Sequence, residues 1–144
     1  MRFFLDNCIS PRLASALRIL AELQKNEIVH LQDKFPRDEK DEVWIRTLAQ
    51  EGDWLIVSGD PRITRGKQQR EAWLESGLTA FFLGEGWSEK AIWKQASELF
   101  RWWPDIVLKA REARPGSGFI LLAGAREMKE VRQQSSRPQR KPRV

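Results

Sequence analysis

Short apolar runs bounded by turn residues alternate along this chain with segments whose apolar side chains recur every three or four positions. That alternation limits the fold more than any other feature. Arg2 to Asp6 reads as a buried strand, and Ser10-Pro11 supplies an N-cap and a first helical residue for a helix with Leu13, Ala16, Leu17 and Leu20 on one face. Glu27 to Leu31 is a second, weaker strand. Beyond a polar connection containing Pro36, the spacing of Trp44, Ile45, Leu48 and Ala49 predicts a helix from about Lys40 to Gln50, stopped by Gly52. Trp54-Leu-Ile-Val57 is the most continuous strand and ends at Ser58-Gly59-Asp60. A basic stretch, Arg62 to Arg70, leads into a helix ending near Gly77, and Thr79 to Leu83 gives a fourth strand. Ser88 then caps a long helical segment that Pro104 should interrupt, because proline removes a backbone donor and crowds the preceding turn. Phe119 to Leu122 reads as a fifth strand or an apolar hairpin arm.

This order predicts an α/β domain whose central parallel sheet is covered by helices on both faces. Ligands of such sheets bind at the carboxyl ends of the strands, where the strand order reverses, as between strands one and three of a 2-1-3-4-5 sheet. A length of 144 residues allows one domain. With 41% apolar and 31% charged residues, the chain is too hydrophobic for disorder and too charged for a membrane protein. The lone Cys8 excludes an internal disulfide and a thiolate metal site, which fits a reducing, cytoplasmic setting. The first apolar run stops at Asp6, short of any signal peptide or membrane span. Of the net charge of +5, Arg137, Arg140, Lys141 and Arg143 supply four, so the rest of the chain is nearly neutral. A folded domain is therefore expected over 1–124 and a basic tail over 125–144, its last part disordered.

Two strands end in an aspartate, Asp6 and Asp60. Either alone reads most simply as turn chemistry, since Asp supports the turn after a strand and Gly-Asp-Pro-Arg is a good turn sequence. A third acid comes from the connection ending Asp41-Glu42, where acids also gather to meet the positive end of a helix. Helical phase separates the two. At about 100° per residue, Asp41 lies roughly 40° from Ile45 and about 20° from Leu48, whereas Glu42 falls about 60° to the other side of Ile45. Asp41 thus sits on the apolar stripe, a costly place for a carboxylate unless it is paired or holds a cation. Three converging carboxylates without cysteine ligands suit a hard cation such as Mg²⁺ or Mn²⁺. Such ions promote phosphodiester hydrolysis.

The segments Phe3-Phe-Leu-Asp-Asn-Cys-Ile-Ser-Pro-Arg-Leu13, Val29-His-Leu-Gln-Asp33, Lys40-Asp-Glu-Val-Trp-Ile45 and Trp54-Leu-Ile-Val-Ser-Gly-Asp-Pro-Arg-Ile63 resemble the PIN-like domains related to VapC-type toxins of toxin-antitoxin systems. The likeness covers roughly residues 2 to 100. It implies a three-layer α/β/α PIN-like fold, a Mg²⁺- or Mn²⁺-dependent ribonuclease, and a cognate antitoxin that occludes the crevice. The family's acids fall on Asp6, on Asp41 with Glu42 as neighbour and outer or alternate ligand, and on Asp60. Many PIN nucleases carry a further acid just after the third position, where this chain has Pro61-Arg62-Ile63. That departure keeps a rival open, a PIN-like module that binds nucleic acid or protein without catalysis. A receiver-like phosphorelay domain ranks last, because Asn7 follows Asp6 and Leu121-Leu122-Ala123-Gly124 offers no lysine.

Arg62, Arg65, Lys67 and Arg70 follow Asp60 at the same end of the sheet. Bases at a helix N-terminus oppose its dipole, so RNA phosphates are their expected partners rather than solvent alone. Asn7 either serves the site, by holding Asp6 or a water on the ion, or hydrogen-bonds its own turn. His30, between Val29 and Leu31, reads as structural, and Cys8 as a small buried residue. Of the seven tryptophans, Trp44, Trp54 and Trp93 are expected in the core. Trp102-Trp103-Pro104 cannot all face one side of a helix, which assigns at least one ring to a homodimer or partner surface.

Overall fold

The computed structural model describes residues 1–131, and the stretch from about Gln133 onward that is expected to be disordered lies outside them. The chain runs β1 (Arg2–Leu5), α1 (Pro11–Ala21), β2 (Glu27–His30), α2 (Leu31–Lys34), α3 (Asp41–Glu51), β3 (Trp54–Ser58), α4 (Arg62–Arg65), α5 (Lys67–Ser76), β4 (Ala80–Leu83), α6 (Ile92–Glu112), β5 (Gly118–Leu121) and β6 (Lys129–Glu130). The sheet order is β2-β1-β3-β4-β5-β6, with β1 to β5 parallel and β6 antiparallel to β5. This is the α/β fold with a mostly parallel sheet that the alternation predicts. β6 lies past residue 124, so the sheet reaches further along the chain than the expected boundary.

Because successive strand residues face opposite ways, the strands sort their side chains into two cores. Phe3, Leu5, Val57, Phe81 and Leu83 pack with Leu13 and Leu17 of α1 and with Leu99, Trp102, Trp103 and Ile106 of α6. Phe4, Ile56, Ala80 and Phe82 pack with Trp44, Ile45 and Leu48 of α3 and with Trp73 of α5. Helices thus cover both faces, which completes three layers. Ser10 caps α1 as its sequence predicts, its Oγ accepting the Arg12 N–H at 3.2 Å ahead of Pro11.

Several local expectations are corrected. α6 runs through Pro104 without a break. The proline is exposed, so the lost backbone bond lies on the water side, while Trp102, Trp103, Ile106 and Val107 on the buried side hold both halves to the sheet. Those two tryptophans are 1% and 7% exposed and therefore cannot supply a ring for a dimer or partner surface. Trp93, expected in the core, is instead 84% exposed at the start of α6. Ser88 lies in a 3-10 turn, Trp87–Glu89, and α6 begins later with Ala91 as its N-cap. The basic stretch after Asp60 forms two helices, parted at Gly66, whose extended ψ of 133° breaks the run. His30 closes β2 and caps α2: its Nδ1 accepts the Gln32 N–H at 3.1 Å and its Nε2 donates to the Ile9 carbonyl at 2.7 Å. Both ring nitrogens are committed to structure.

Candidate functional site

The strand order reverses between β1 and β3, and both run into the same crevice. Asp6 follows β1 and Asp60 follows β3 by two residues, while Asp41 is the first residue of α3, on the face packed against the sheet. The three acids lie at the same end of the sheet: Asp41 and Asp60 share a hydrogen bond, and the charges of both bear on Asp6. Glu42 makes no ion pair or hydrogen bond with them among the described residues.

Asp6 is 2% exposed and held from three sides. Its Oδ1 accepts the backbone N–H of Cys8 at 3.1 Å and of Gly59 at 3.5 Å, and its Oδ2 accepts the Ser58 hydroxyl. The Ser58 Oγ in turn accepts the Asp60 N–H at 3.0 Å and so ties the two strand ends together. Burial pushes the Asp6 carboxyl up to about 7, against the lowering effect of the Ser58 and Cys8 hydrogen bonds, and the charges of Asp60 and Asp41 add to the rise. Asp41 is likewise raised to about 6, by burial first and then by Asp60, although its Oδ1 accepts the Trp44 indole N–H at 3.1 Å. Burial works against the charged form of Asp60 too, but hydrogen bonds from Arg62 outweigh it and hold that carboxyl below its usual range. Asp41 is the member of the pair that keeps the proton.

Arg62 explains this asymmetry. Its backbone N–H reaches Asp60 Oδ1 at 2.9 Å, its Nε bridges both carboxylate oxygens at 3.0 and 3.1 Å, and its Nη2 lies 2.7 Å from Asp60 Oδ2 and 3.7 Å from Asp41 Oδ2. The guanidinium is the cation of this cluster. An all-carboxylate donor set, without sulfur or imidazole, has the chemistry that Mg²⁺ or Mn²⁺ prefers. Among the described residues, however, no three acidic, histidine or cysteine side chains are gathered closely enough to hold an ion between them. The residues fit such an ion in kind but not in the arrangement seen here, in which Arg62 is paired with Asp60.

Arg62, expected to bind phosphate, is thus turned onto the acids, and Arg65 is ion-paired with Glu85. Arg70 donates to the Thr64 carbonyl at 3.0 Å, and Lys67 is exposed at the start of α5. Asn7 does not hold Asp6: its Nδ2 donates to the Arg37 carbonyl at 2.5 Å and its Oδ1 accepts from Gln32 at 3.1 Å, fastening the connection that leads to Asp41. The Cys8 thiol is pushed up to about 12 by burial and by the nearby acids, which leaves it a poor nucleophile. Two residues that sequence patterns did not single out build the site. Ser58 orients Asp6, and Trp87 donates its indole N–H to the Cys8 carbonyl at 2.8 Å while packing so closely on Gly59 that a Cβ there would lie 2.6 Å from its ring.

A family model described as a PIN-like domain matches residues 1–85, a span that contains Asp6, Asp41 and Asp60. No curated protein and no solved structure matches the chain.

Proposed function

Because the chain belongs to the PIN-like domain family, we propose that it is a cytoplasmic Mg²⁺- or Mn²⁺-dependent ribonuclease, the toxin of a toxin-antitoxin pair whose antitoxin covers the crevice. One observation carries the nuclease reading: three separate elements deliver Asp6 and Asp60, both buried, and the half-buried Asp41, electrostatically coupled, to the strand ends at the switch point. Arg62 pairs with Asp60 and Asp41, and a divalent cation would offset the cost of the negative charge that remains. Asp6, Asp41 and Asp60 would hold the ion, with Glu42 as an outer partner. The chemistry a bound ion would supply there is activation of a water and neutralisation of charge on the phosphate. Ser58 and the Cys8 and Gly59 amides fix the Asp6 oxygens before any substrate arrives, so little reorganisation is left for the reaction.

Asp6→Asn and Asp60→Asn should each abolish cleavage of labelled RNA in Mn²⁺ and leave the fold intact by circular dichroism. Wild-type cleavage that persists in excess chelator, or cleavage by both variants equal to that of the wild type, refutes the reading. A second reading is favoured by Arg62, which neutralises Asp60 where many PIN nucleases add an acid: a PIN-like module that binds nucleic acid or protein without cutting. RNA binding without cleavage by the wild type in Mn²⁺ would select it.

A further inference from the structure

Beside the acid cluster, and sharing Gly59 and Asp60 with it, a cavity of about 680 Å³ opens at the carboxyl ends of β3, β4 and β5. That volume is in the range of sites for small organic ligands, roughly 300 to 1,000 Å³. Phe82, Leu83, Ile120 and Leu122 give it an apolar lining, and Trp87 forms a wall. The wall is preformed. Trp87 is 2% exposed, its indole N–H is spent on the Cys8 carbonyl, and its own carbonyl accepts Gln95 at 2.8 Å. At the rim stand Arg65 and Glu85, ion-paired to each other with side chains 69% and 75% exposed. An ion pair so exposed contributes little to stability. A ligand can replace it at small cost.

The occupant this combination selects is a planar, largely apolar group whose edge presents acceptors beside donors. Among the RNA bases guanine meets it most fully. Its O6 and N7 accept both arms of a guanidinium, and its N1–H and N2–H donate to both oxygens of a carboxylate. Adenine turns the N1 acceptor toward the carboxylate, and each pyrimidine has fewer groups to offer the pair. We propose that this cavity is a subsite for one unpaired guanine base of the bound RNA, read by Arg65 and Glu85 beside the carboxylates. The inference rests on the ribonuclease reading for its choice of ligand. It makes the protein selective for cleavage next to guanine. Trp87 joins the two sites, because one side chain walls the cavity and grips the loop that supplies the Cys8 amide to Asp6.

The test uses the four nucleosides, which carry no phosphate to be repelled by the acids, titrated calorimetrically into the full chain in chelator. Guanosine should bind roughly tenfold or more tighter than adenosine, cytidine or uridine, as a bidentate contact discriminates. Glu85→Gln should remove most of that preference, and Leu122→Trp, which fills the cavity from its half-exposed rim, should remove binding altogether. Equal affinity for all four nucleosides, or guanosine binding unchanged in both variants, overturns the proposal. Cleavage of a random-sequence RNA in Mn²⁺ separates this from the reading beneath it. Guanosine-selective binding without cleavage sustains the subsite and refutes the nuclease, while cleavage with no guanine preference refutes the subsite alone.

Discussion

Asp6 has a folded-state pKa near 7 against 3.8 for the free side chain, chiefly because it is buried. Between those values the folded chain keeps a proton that the unfolded chain has released, so stability falls as pH rises from about 4 to about 7 and stays lost above that. Asp41, raised to about 6, acts in the same direction over a narrower window. Without divalent metal the melting temperature should therefore be higher at pH 5 than at pH 8. Asp6→Asn, whose amide N–H can donate to Ser58 Oγ in place of accepting its hydroxyl, should flatten that slope and raise the melting temperature at pH 8 by on the order of 5 °C. Calorimetry in chelator decides it, and a variant less stable than wild type at pH 8 would show that the charged Asp6 is itself a net stabiliser. Arg62 sets a second expectation at this scale. Its guanidinium engages Asp60 and Asp41 but is 67% exposed, so its ion pairs stabilise the fold little and compete with any metal ion directly. Arg62→Ala should tighten Mn²⁺ binding, by roughly threefold to tenfold for a partly screened charge a few ångströms away, in a calorimetric titration. Weaker binding would mean that Arg62 gathers the acids rather than guarding them.

At the scale of elements, α3 carries the sharpest test, because its register decides which acid enters the crevice. Asp41 has a side chain only 12% exposed and lies within reach of Asp60 and Arg62, whereas Glu42 has no such partner among the described residues. Asp41→Ala should cost at least about a hundredfold in single-turnover cleavage and Glu42→Ala less than about threefold; the reverse order would put Glu42 in the site. This placement was legible in the sequence, since Ile45 and Leu48 fix the buried face and Asp41 falls on it by phase alone. So were Asp6 and Asp60, because a strand that runs into an acid must release it at its carboxyl end. The ion pair of Arg62 was not legible. Asp60-Pro61-Arg62 reads as a turn followed by a base, and only the fold brings Asp41 within 3.7 Å of the same guanidinium. Ser58 and Trp87 escaped for a similar reason, since their partners Asp6 and Cys8 lie far away in sequence. Pro104 misled in the other direction: the local rule against proline is real, but burial on the opposite face of α6 outweighs it.

For the whole molecule, the strand order gathers acid at one end of the sheet, while the sequence puts most of the excess positive charge near its C-terminus. Arg62 and Arg65 are neutralised by Asp60 and Glu85, so the bases beside the crevice contribute less to long-range attraction of RNA than their number implies. Attraction and chemistry are then separable. Deleting residues 135–144 removes four of the 25 basic residues and leaves the chain nearly neutral. The truncated protein should bind single-stranded RNA more weakly at low salt, and its plot of log affinity against log salt should flatten by roughly 0.7 for each RNA phosphate that the removed bases neutralise. Its cleavage rate at saturating RNA and Mn²⁺ should be unchanged, because those charges act on encounter and not on the scissile phosphate. Salt-dependent binding curves and single-turnover rates on the same two proteins measure both quantities. A truncation that lowers the saturated rate would bring the C-terminal segment into the proposed site, where its arginines would act beside the three carboxylates in the step itself.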